Sequence, residues 1–229
     1  MSALAWLCLL GTVLGYVLGK KLHQRYNYWF LSPALFVPAL IILLLSQQNI
    51  AYEQYMQGSQ WIVWLLNPAT VAFAIPIYRY RAVVKQHMLS IGMGIVFGML
   101  AGLLSAYGFA KWFAFNPEIT FSLMSRSVST PFAVEVASHV NGSKELTTLF
   151  TILTGFVGML FGDVILAVLH VKSNIAGGAS LGNAAHGFGT FKAMQRHQQQ
   201  GVVASLSMVL AGIFMVLCGP TLIHWVALI

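Results

Sequence analysis

An arginine lies deep in an apolar stretch of this chain. Arg126 is flanked by mostly small and hydrophobic residues within 117–142. A cation near the centre of a membrane-spanning helix costs about 2.5–3.5 kcal/mol on insertion scales, so a partner of opposite charge is expected. Two partners stay open, the carboxylate of Glu135 and a bound anion. A carboxylate that hydrogen-bonds a charged group gains about 1.5–3 kcal/mol, which suits a site that must also release its ligand.

An acidic residue falls in the middle of another apolar run. Asp163 lies within 147–170, and acidic side chains inside membranes are functional candidates by default. Asp163 could carry a coupling proton or help to bind sodium, and Glu135 is a second candidate for this ion-coupling role. The alternative for Asp163 is an ion pair with a neighbouring helix.

Two further polar residues, Asn183 and His186, lie in the glycine-rich segment 172–200. Imidazole changes charge near neutral pH, so His186 is either a charge switch or a buried histidine with satisfied hydrogen bonds. A segment so rich in glycine would leave backbone groups unsatisfied in lipid. It is therefore expected to be buried in protein or to line a water-filled cavity.

Two helix starts fall inside apolar segments, at Asn67-Pro68 and at Thr130-Pro131. A polar side chain before proline caps free amide groups, and proline in the first turn gives up no hydrogen bond. A helix that begins inside the bilayer points its positive dipole end into the interior, where a small anion can bind. The predicted substrate-binding residues are Asn67, Pro68, Thr70, Arg126, Ser127, Ser129, Thr130, Asn183 and His186.

The composition excludes several classes of protein. Only 7% of the 229 residues are charged and 58% are hydrophobic, whereas a soluble domain carries about 25% charged residues. Soluble enzymes, disordered chains and secreted disulfide scaffolds are therefore excluded. The basic residues cluster between apolar runs, which argues against a nucleic-acid partner. The G-x-S-x-G match at 178–182 lacks the strand that a hydrolase elbow needs, and no metal or cofactor motif is present, so neither catalysis nor a cofactor is expected.

The apolar runs predict an all-α, polytopic membrane protein with six to eight helices, because an open strand cannot satisfy its backbone in lipid. Two stretches, 117–142 and 172–200, are too long for loops and are interrupted by glycine or proline. They predict broken or re-entrant helices. The six runs of spanning length lie at about 3–19, 30–46, 61–78, 88–110, 147–170 and 202–227.

Basic residues predict the orientation, because they are enriched on the inner side of a membrane. With the N-terminus outside, nine basic residues fall on inner segments and three on the outer side. Segment 117–142 then enters from outside and 172–200 from inside. The nine are Lys20, Lys21, Arg25, Arg79, Arg81, Lys85, Lys172, Lys192 and Arg196; the three are Lys111, Arg126 and Lys144.

A weak internal repeat is present within a single transmembrane domain, 1–229. Repeat-like units at about 61–110 and 117–170 each join a proline-initiated helix, a polar turn and a glycine-striped span. The two units run in opposite directions under the predicted orientation, and such inverted repeats indicate a secondary transporter. The glycine stripes favour close helix packing within the chain, with a dimer interface as the alternative.

Three segments, taken in order, resemble the LrgB/CidB family of bacterial membrane proteins. They are Leu66–Tyr78, Arg126–Pro131 and Leu181–Thr190, and the resemblance covers nearly the whole chain. Many members of the family have Pro-Lys where this chain has Ser125-Arg126, so a basic residue is kept. The resemblance implies location in the inner membrane of a Gram-negative bacterium. It implies either holin-like control of murein hydrolase export with an LrgA/CidA-type partner, or transport of small carboxylates such as glycolate, glycerate or pyruvate.

The sequence favours the second of these functions, a proton- or sodium-coupled secondary transporter of small monocarboxylates. The alternative is a holin-like pore, which would need a polar face along a whole span, and no such face is found. The expected partners are a small organic anion and membrane lipid. A homodimer and an LrgA/CidA-type small membrane protein stay open.

Overall fold

The described part of the chain is built from helices alone. The computed structural model describes residues 3–26, 28, 31–65, 68, 71–72 and 74–228, and these ranges contain ten α-helices and no strand. The all-α prediction is therefore confirmed. The helices are α1 (Ala3–Tyr26), α2 (Pro33–Gln47), α3 (Tyr52–Trp64), α4 (Ala74–Arg79), α5 (Arg81–Trp112), α6 (Pro117–Ser125), α7 (Thr130–His139), α8 (Lys144–Val168), α9 (Asn174–Arg196) and α10 (Gln198–Ala227).

Four of the described helices are long and apolar enough to cross a membrane. They are α1, the Lys85–Trp112 part of α5, α8 and α10, which makes the protein a multi-pass membrane protein. Helix α2 is apolar but has only 15 residues. The predicted run 61–78 is not one continuous helix, because α3 ends at Trp64 and Leu65 lies in a turn.

The chain forms two compact units, Met1–Ala69 and Thr70–Ile229. In the first unit, α1 packs on α2 and α3. Glycine allows this close contact, because a Cβ at Gly58 would collide with the backbone carbonyl of Ala5 and a Cβ at Gly19 would press on Val37. The second unit holds every described residue of the predicted site except Pro68.

Helices α6 and α7 form a hairpin, called hairpin A, whose tip is the non-helical segment 126–129. Near its base, the Ser143 amide donates to the Ser122 hydroxyl over 2.8 Å. At its tip, the Arg126 guanidinium donates to the Thr154 hydroxyl over 2.7 Å. Helix α6 therefore runs in the same direction as α8. Helix α7 returns toward the first residues of α8, which follow it after a short turn.

Helix α9 is a second hairpin, called hairpin B, folded at His186. Its first arm (174–185) runs parallel to α10, because a Cβ at Gly178 would meet Gln200 and one at Gly182 would meet Ala204. Its second arm (187–196) runs antiparallel, because Thr190 contacts Met208 and Gly201 lies against Met194. A straight helix of 23 residues would be about 34 Å long. Yet the Asn174 amide lies 3.4 Å from the imidazole of His197, just beyond the other end.

The two hairpins enter from opposite ends of α8. Hairpin A has its base where α8 begins, and hairpin B follows the last turn of α8. Their tips meet near the middle of this helix: Thr154 binds Arg126, and the adjacent Gly155 lies against Ala185 and Phe188. A Cβ at Gly158 would collide with Ala185 and one at Gly162 would press on Leu181. The glycine stripe of α8 therefore packs within the chain.

The fold of hairpin B can be tested by cross-linking. Asn174→Cys with His197→Cys, in a chain carrying Cys8→Ala and Cys218→Ala, is expected to react efficiently with a short bis-thiol reagent, because the native side chains are 3.4 Å apart. Trypsin cleaves after Lys192 and Arg196, so the cross-link joins two peptides that mass spectrometry resolves. The control is the pair Asn174→Cys with Gly187→Cys, because these two residues lie at opposite ends of the first arm of the hairpin. Equal yields for both pairs would contradict the hairpin.

Candidate functional site

Arg126 lies at the tip of hairpin A, directly after the last residue of α6, and is partly buried. Its guanidinium is held by a neutral partner, the Thr154 hydroxyl, which itself donates to the Phe150 carbonyl over 2.7 Å. None of the ion pairs among the described residues includes Arg126. The positive charge therefore stays available to an anion at the level where the two tips meet.

The first turn of α7 supplies a second group that favours anions. Ser129 is the N-cap, one residue earlier than the predicted Thr130, because Pro131 takes a place in the first turn of the helix. The Ser129 side chain is 8% exposed, yet its hydroxyl makes no hydrogen bond within the described residues. The positive end of this ten-residue helix and an unpaired hydroxyl thus lie three to four residues from Arg126.

His186 forms the tip of hairpin B. Its φ of 51° and ψ of −128° interrupt the helix, a conformation that favours glycine. The imidazole is 4% exposed, and its Nε2 atom has no hydrogen-bond partner in the described part of the chain. Arg126 binds Thr154, and the adjacent Gly155 lies against Ala185 and Phe188, which flank His186. His186 and Arg126 are therefore neighbours although sixty positions separate them in the sequence.

Three glycines of α5 lie against Asn183 and Ser127 next to these tips. The Asn183 amide donates to the Gly94 carbonyl over 3.2 Å, and a Cβ at Gly98 would collide with this amide. One turn further along α5, a Cβ at Gly102 would press on the Ser127 hydroxyl. Residues four apart on a helix are about 6 Å apart along its axis. Asn183 and Ser127 are therefore within about one helical turn of each other.

Other predicted site residues lie elsewhere. Asp163 pairs with Lys192 over 3.0 Å and with Arg196 over 3.4 Å, both on the second arm of hairpin B; this is the ion-pair alternative left open by the sequence. Glu135 is 60% exposed and lies 3.9 Å from His139 on its own helix, so it is not the partner of Arg126. Asn67 and Thr70 lie outside the described residues, and Pro68 belongs to the first unit.

Two features of the site escaped the sequence analysis. Thr154 holds Arg126, but a threonine in an apolar span gives no signal of its own. The second helix start of the site is at the tip of hairpin B, where the ten-residue second arm begins after His186. The glycine-rich composition of this segment could have signalled a break, but not its position.

The described residues contain no group of three or more histidine, cysteine, aspartate or glutamate side chains that could hold a metal ion. The serine of the G-x-S-x-G match, Ser180, lies inside the first arm of hairpin B. It is therefore on a helix rather than on the strand-to-helix turn of a hydrolase elbow.

Opposed helical hairpins with polar tips and long apolar helices define a polytopic membrane protein, with a candidate polar site where the two tips meet. Residues 12–225 match the LrgB-like family model, and the chain belongs to this family. It is 36% identical to YwbG of Bacillus subtilis, over 93% of this chain and 95% of that protein. It is 33% identical to the holin-like protein CidB of Staphylococcus aureus, over 96% of each chain. No solved structure matches the chain significantly.

The contact between Thr154 and Arg126 predicts a stability change. Thr154→Val keeps the side-chain shape but leaves a guanidinium N–H without its acceptor, which costs about 1–3 kcal/mol. Thr154→Ser keeps the hydroxyl and should unfold close to the wild type. The thermal unfolding midpoint of the detergent-solubilised protein measures both. Equal midpoints for the Val and Ser variants would show that the hydrogen bond does not stabilise the fold.

The backbone at His186 predicts a second effect. His186→Gly removes the steric cost of a positive φ at a residue with a Cβ, whereas His186→Ala keeps that cost; such strain is worth about 1–3 kcal/mol. We expect the Gly variant to have the higher unfolding midpoint of the two. Because both variants remove the imidazole, their difference reports the backbone alone. An Ala variant as stable as the Gly variant would contradict the interpretation.

Proposed function

We propose that the protein is a secondary transporter of small monocarboxylates, of the size of glycolate, glycerate or pyruvate, and that it performs no covalent chemistry. The observation that carries this proposal is the guanidinium of Arg126. It lies where the tips of two opposed hairpins meet, and its partner there is a neutral hydroxyl. A cation in this position is costly unless an anion compensates it, and a carboxylate substrate would do so.

The carboxylate would be bound between the two tips. Arg126 supplies the charge, and the first turn of α7 with Ser127, Ser129 and Thr130 supplies amide and hydroxyl donors. Asn183 and His186 approach from hairpin B. Each helix end contributes about 0.3–1 kcal/mol toward binding an anion, in addition to the hydrogen bond from Arg126. Asn67, Pro68 and Thr70 stay substrate-binding predictions that rest on the sequence alone.

In a bilayer, both hairpins would be re-entrant segments. Each arm of about ten residues is about 15 Å long, half of the hydrocarbon thickness of about 30 Å. Tips that meet at mid-depth therefore fit hairpins from opposite faces, as in transporters built from inverted repeats. The inner face would be the end where hairpin B has its base, because most basic residues of the second unit flank that end. The N-terminus would be outside and the membrane the bacterial inner membrane.

Coupling to an ion is part of the proposal. Asp163 is the candidate whose protonation would release the second arm of hairpin B, because its carboxylate binds Lys192 and Arg196 on that arm. A proton that neutralises Asp163 would remove both ion pairs at once. Glu135, exposed on α7, is the second candidate. Measuring uptake under an imposed proton gradient and, separately, under an imposed sodium gradient would identify the coupling ion.

A holin-like function is the second candidate, and the name of the related CidB proteins favours it. In that role the chain would form or regulate a pore, alone or with an LrgA/CidA-type partner. A pore conducts without saturation and shows no counterflow, whereas a carrier saturates and exchanges internal for external substrate. Planar-bilayer conductance together with counterflow in liposomes therefore distinguishes the two functions. A homodimer is compatible with either.

The role of Arg126 predicts the outcome of transport assays. Purified protein in liposomes should take up labelled glycolate or pyruvate, and Arg126→Ala should reduce uptake about 10- to 100-fold, the worth of a charge-assisted hydrogen bond of 1.5–3 kcal/mol. Arg126→Lys keeps the charge and should retain part of the activity.

The matched control is Lys144→Gln, which removes an exposed basic residue at the base of hairpin A and should leave uptake unchanged. Wild-type uptake by a folded Arg126→Ala protein would remove Arg126 from the site. Absence of uptake by the wild type for every small carboxylate would refute the transporter itself.

A further inference from the structure

A cleft of about 580 Å³ lies between α5 and the first arm of hairpin B. One face of α5 lines it at a spacing of three to four residues, from His87 to Gly98, and the facing residues of the arm extend from Ser173 to Ala184. Eleven residues of helix cover about 16 Å. The cleft runs from the base of hairpin B to within two residues of its tip, and its length is about half of the hydrocarbon thickness of a bilayer.

The closed end of the cleft adjoins the candidate site. Asn183 and Gly98 line this end, and Gly98 is one helical turn from Gly102, which lies against Ser127 of hairpin A. The mouth of the cleft is formed by His87 and Ser173, in the region where Arg81, Lys85 and Lys172 occur in the sequence. Positive charge near the mouth of a cleft raises the local concentration of anions.

Hydroxyl groups along the cleft indicate that it holds water rather than lipid. Ser90 and Ser180 lie on its two walls, and both are exposed. In α8, the hydroxyls of Thr148, Thr151 and Thr154 each donate a hydrogen bond to a backbone carbonyl of the preceding turn. Among the described residues, the hydroxyls of Ser90 and Ser180 make no such bond. Unsatisfied polar groups are costly against hydrocarbon, so these hydroxyls require a polar environment.

Resting on the proposed function, we propose that this cleft is the passage by which a small hydrated carboxylate moves between the basic face and the site at the hairpin tips. Glycine keeps the passage open. A Cβ at Gly94 would meet no atom within 4 Å, although Gly94 lines the cleft. A larger side chain at this position would therefore enter the passage without displacing another part of the protein.

Two glycines of α5 provide a matched test. Gly92, like Gly94, has no atom within 4 Å of a Cβ position, but it does not line the cleft. Both substitutions change helix propensity equally, so Gly94→Leu and Gly92→Leu differ only in what the side chain fills. In proteoliposomes, Gly94→Leu should lower glycolate uptake at least tenfold and Gly94→Ala should lower it less. Gly92→Leu should match the wild type.

Accessibility gives an independent readout. Ser180→Cys, with Cys8→Ala and Cys218→Ala, should react with a charged, membrane-impermeant thiol reagent applied from the basic face, and saturating glycolate should slow the reaction. Phe97→Cys on α5, which is exposed but does not line the cleft, should stay unreactive toward that reagent. Monodisperse elution in detergent checks that each variant is folded.

The outcomes separate the passage from the transporter. Wild-type uptake by Gly94→Leu would overturn the passage while leaving the proposed function intact. Reaction of Ser180→Cys with a lipophilic maleimide but not with the charged reagent would identify a lipid-filled groove and would also overturn it. If the wild-type protein takes up no small carboxylate, the proposed function fails, and the carboxylate passage fails with it.

Discussion

The charge of Arg126 is the constraint on which the arrangement of the second unit depends. A guanidinium placed between helices must be solvated by something, and here the protein supplies one hydroxyl, from Thr154, and no carboxylate among the described residues. A carboxylate partner would have stabilised the fold more, because a buried charge without a partner is costly. It would also have neutralised the group that attracts an anion. The neutral partner fixes the direction of the side chain while leaving its charge available.

Glycine makes this arrangement sterically accessible. The tip of hairpin B reaches the middle of α8 because Gly155 and Gly158 have no side chains there, and the first arm approaches α10 at Gly178 and Gly182 for the same reason. Association within lipid gains little from hydrophobicity and depends on close van der Waals contact. The same glycines that hold the hairpin therefore also bring His186 to Arg126. In this part of the chain, the contacts that pack the helices are also the contacts that assemble the site.

Much of the second unit and of its candidate site could be predicted from the sequence, because helix-breaking residues and charged residues can be recognised from their immediate neighbours in the chain. Pro131 marks the start of α7, and the glycines of 172–200 mark an interrupted helix. The direction in which the chain continues after a helix break depends on contacts with distant parts of the chain, which neighbouring residues do not reveal. The reversal at His186 is set by contacts of its two arms with α10, and no residue beside it encodes them. The pairing of Asp163 with Lys192 also depends on this reversal, since it brings the second arm back along α8. Thr154 escaped prediction because a threonine in an apolar span usually bonds its own helix, as this one does in addition to holding Arg126.

The distribution of polar groups argues for a carrier rather than a pore. A permanent pore needs a polar face along an entire span, whereas here the unpaired polar atoms of Ser129, Asn183 and His186 gather where the hairpin tips meet. The hydroxyl-bearing cleft leads from the tips toward the base of hairpin B, where basic residues cluster. At the tips, Ser129 and His186 are buried and Arg126 is partly buried. Under the proposed function, two hairpins from opposite ends of α8 would each cover half of the bilayer, so that one half could close while the other is open, as alternating access requires. A continuous polar channel would require both tips to withdraw together, and that would break the contacts of Arg126 with Thr154 and of Gly155 with Ala185 in a single step.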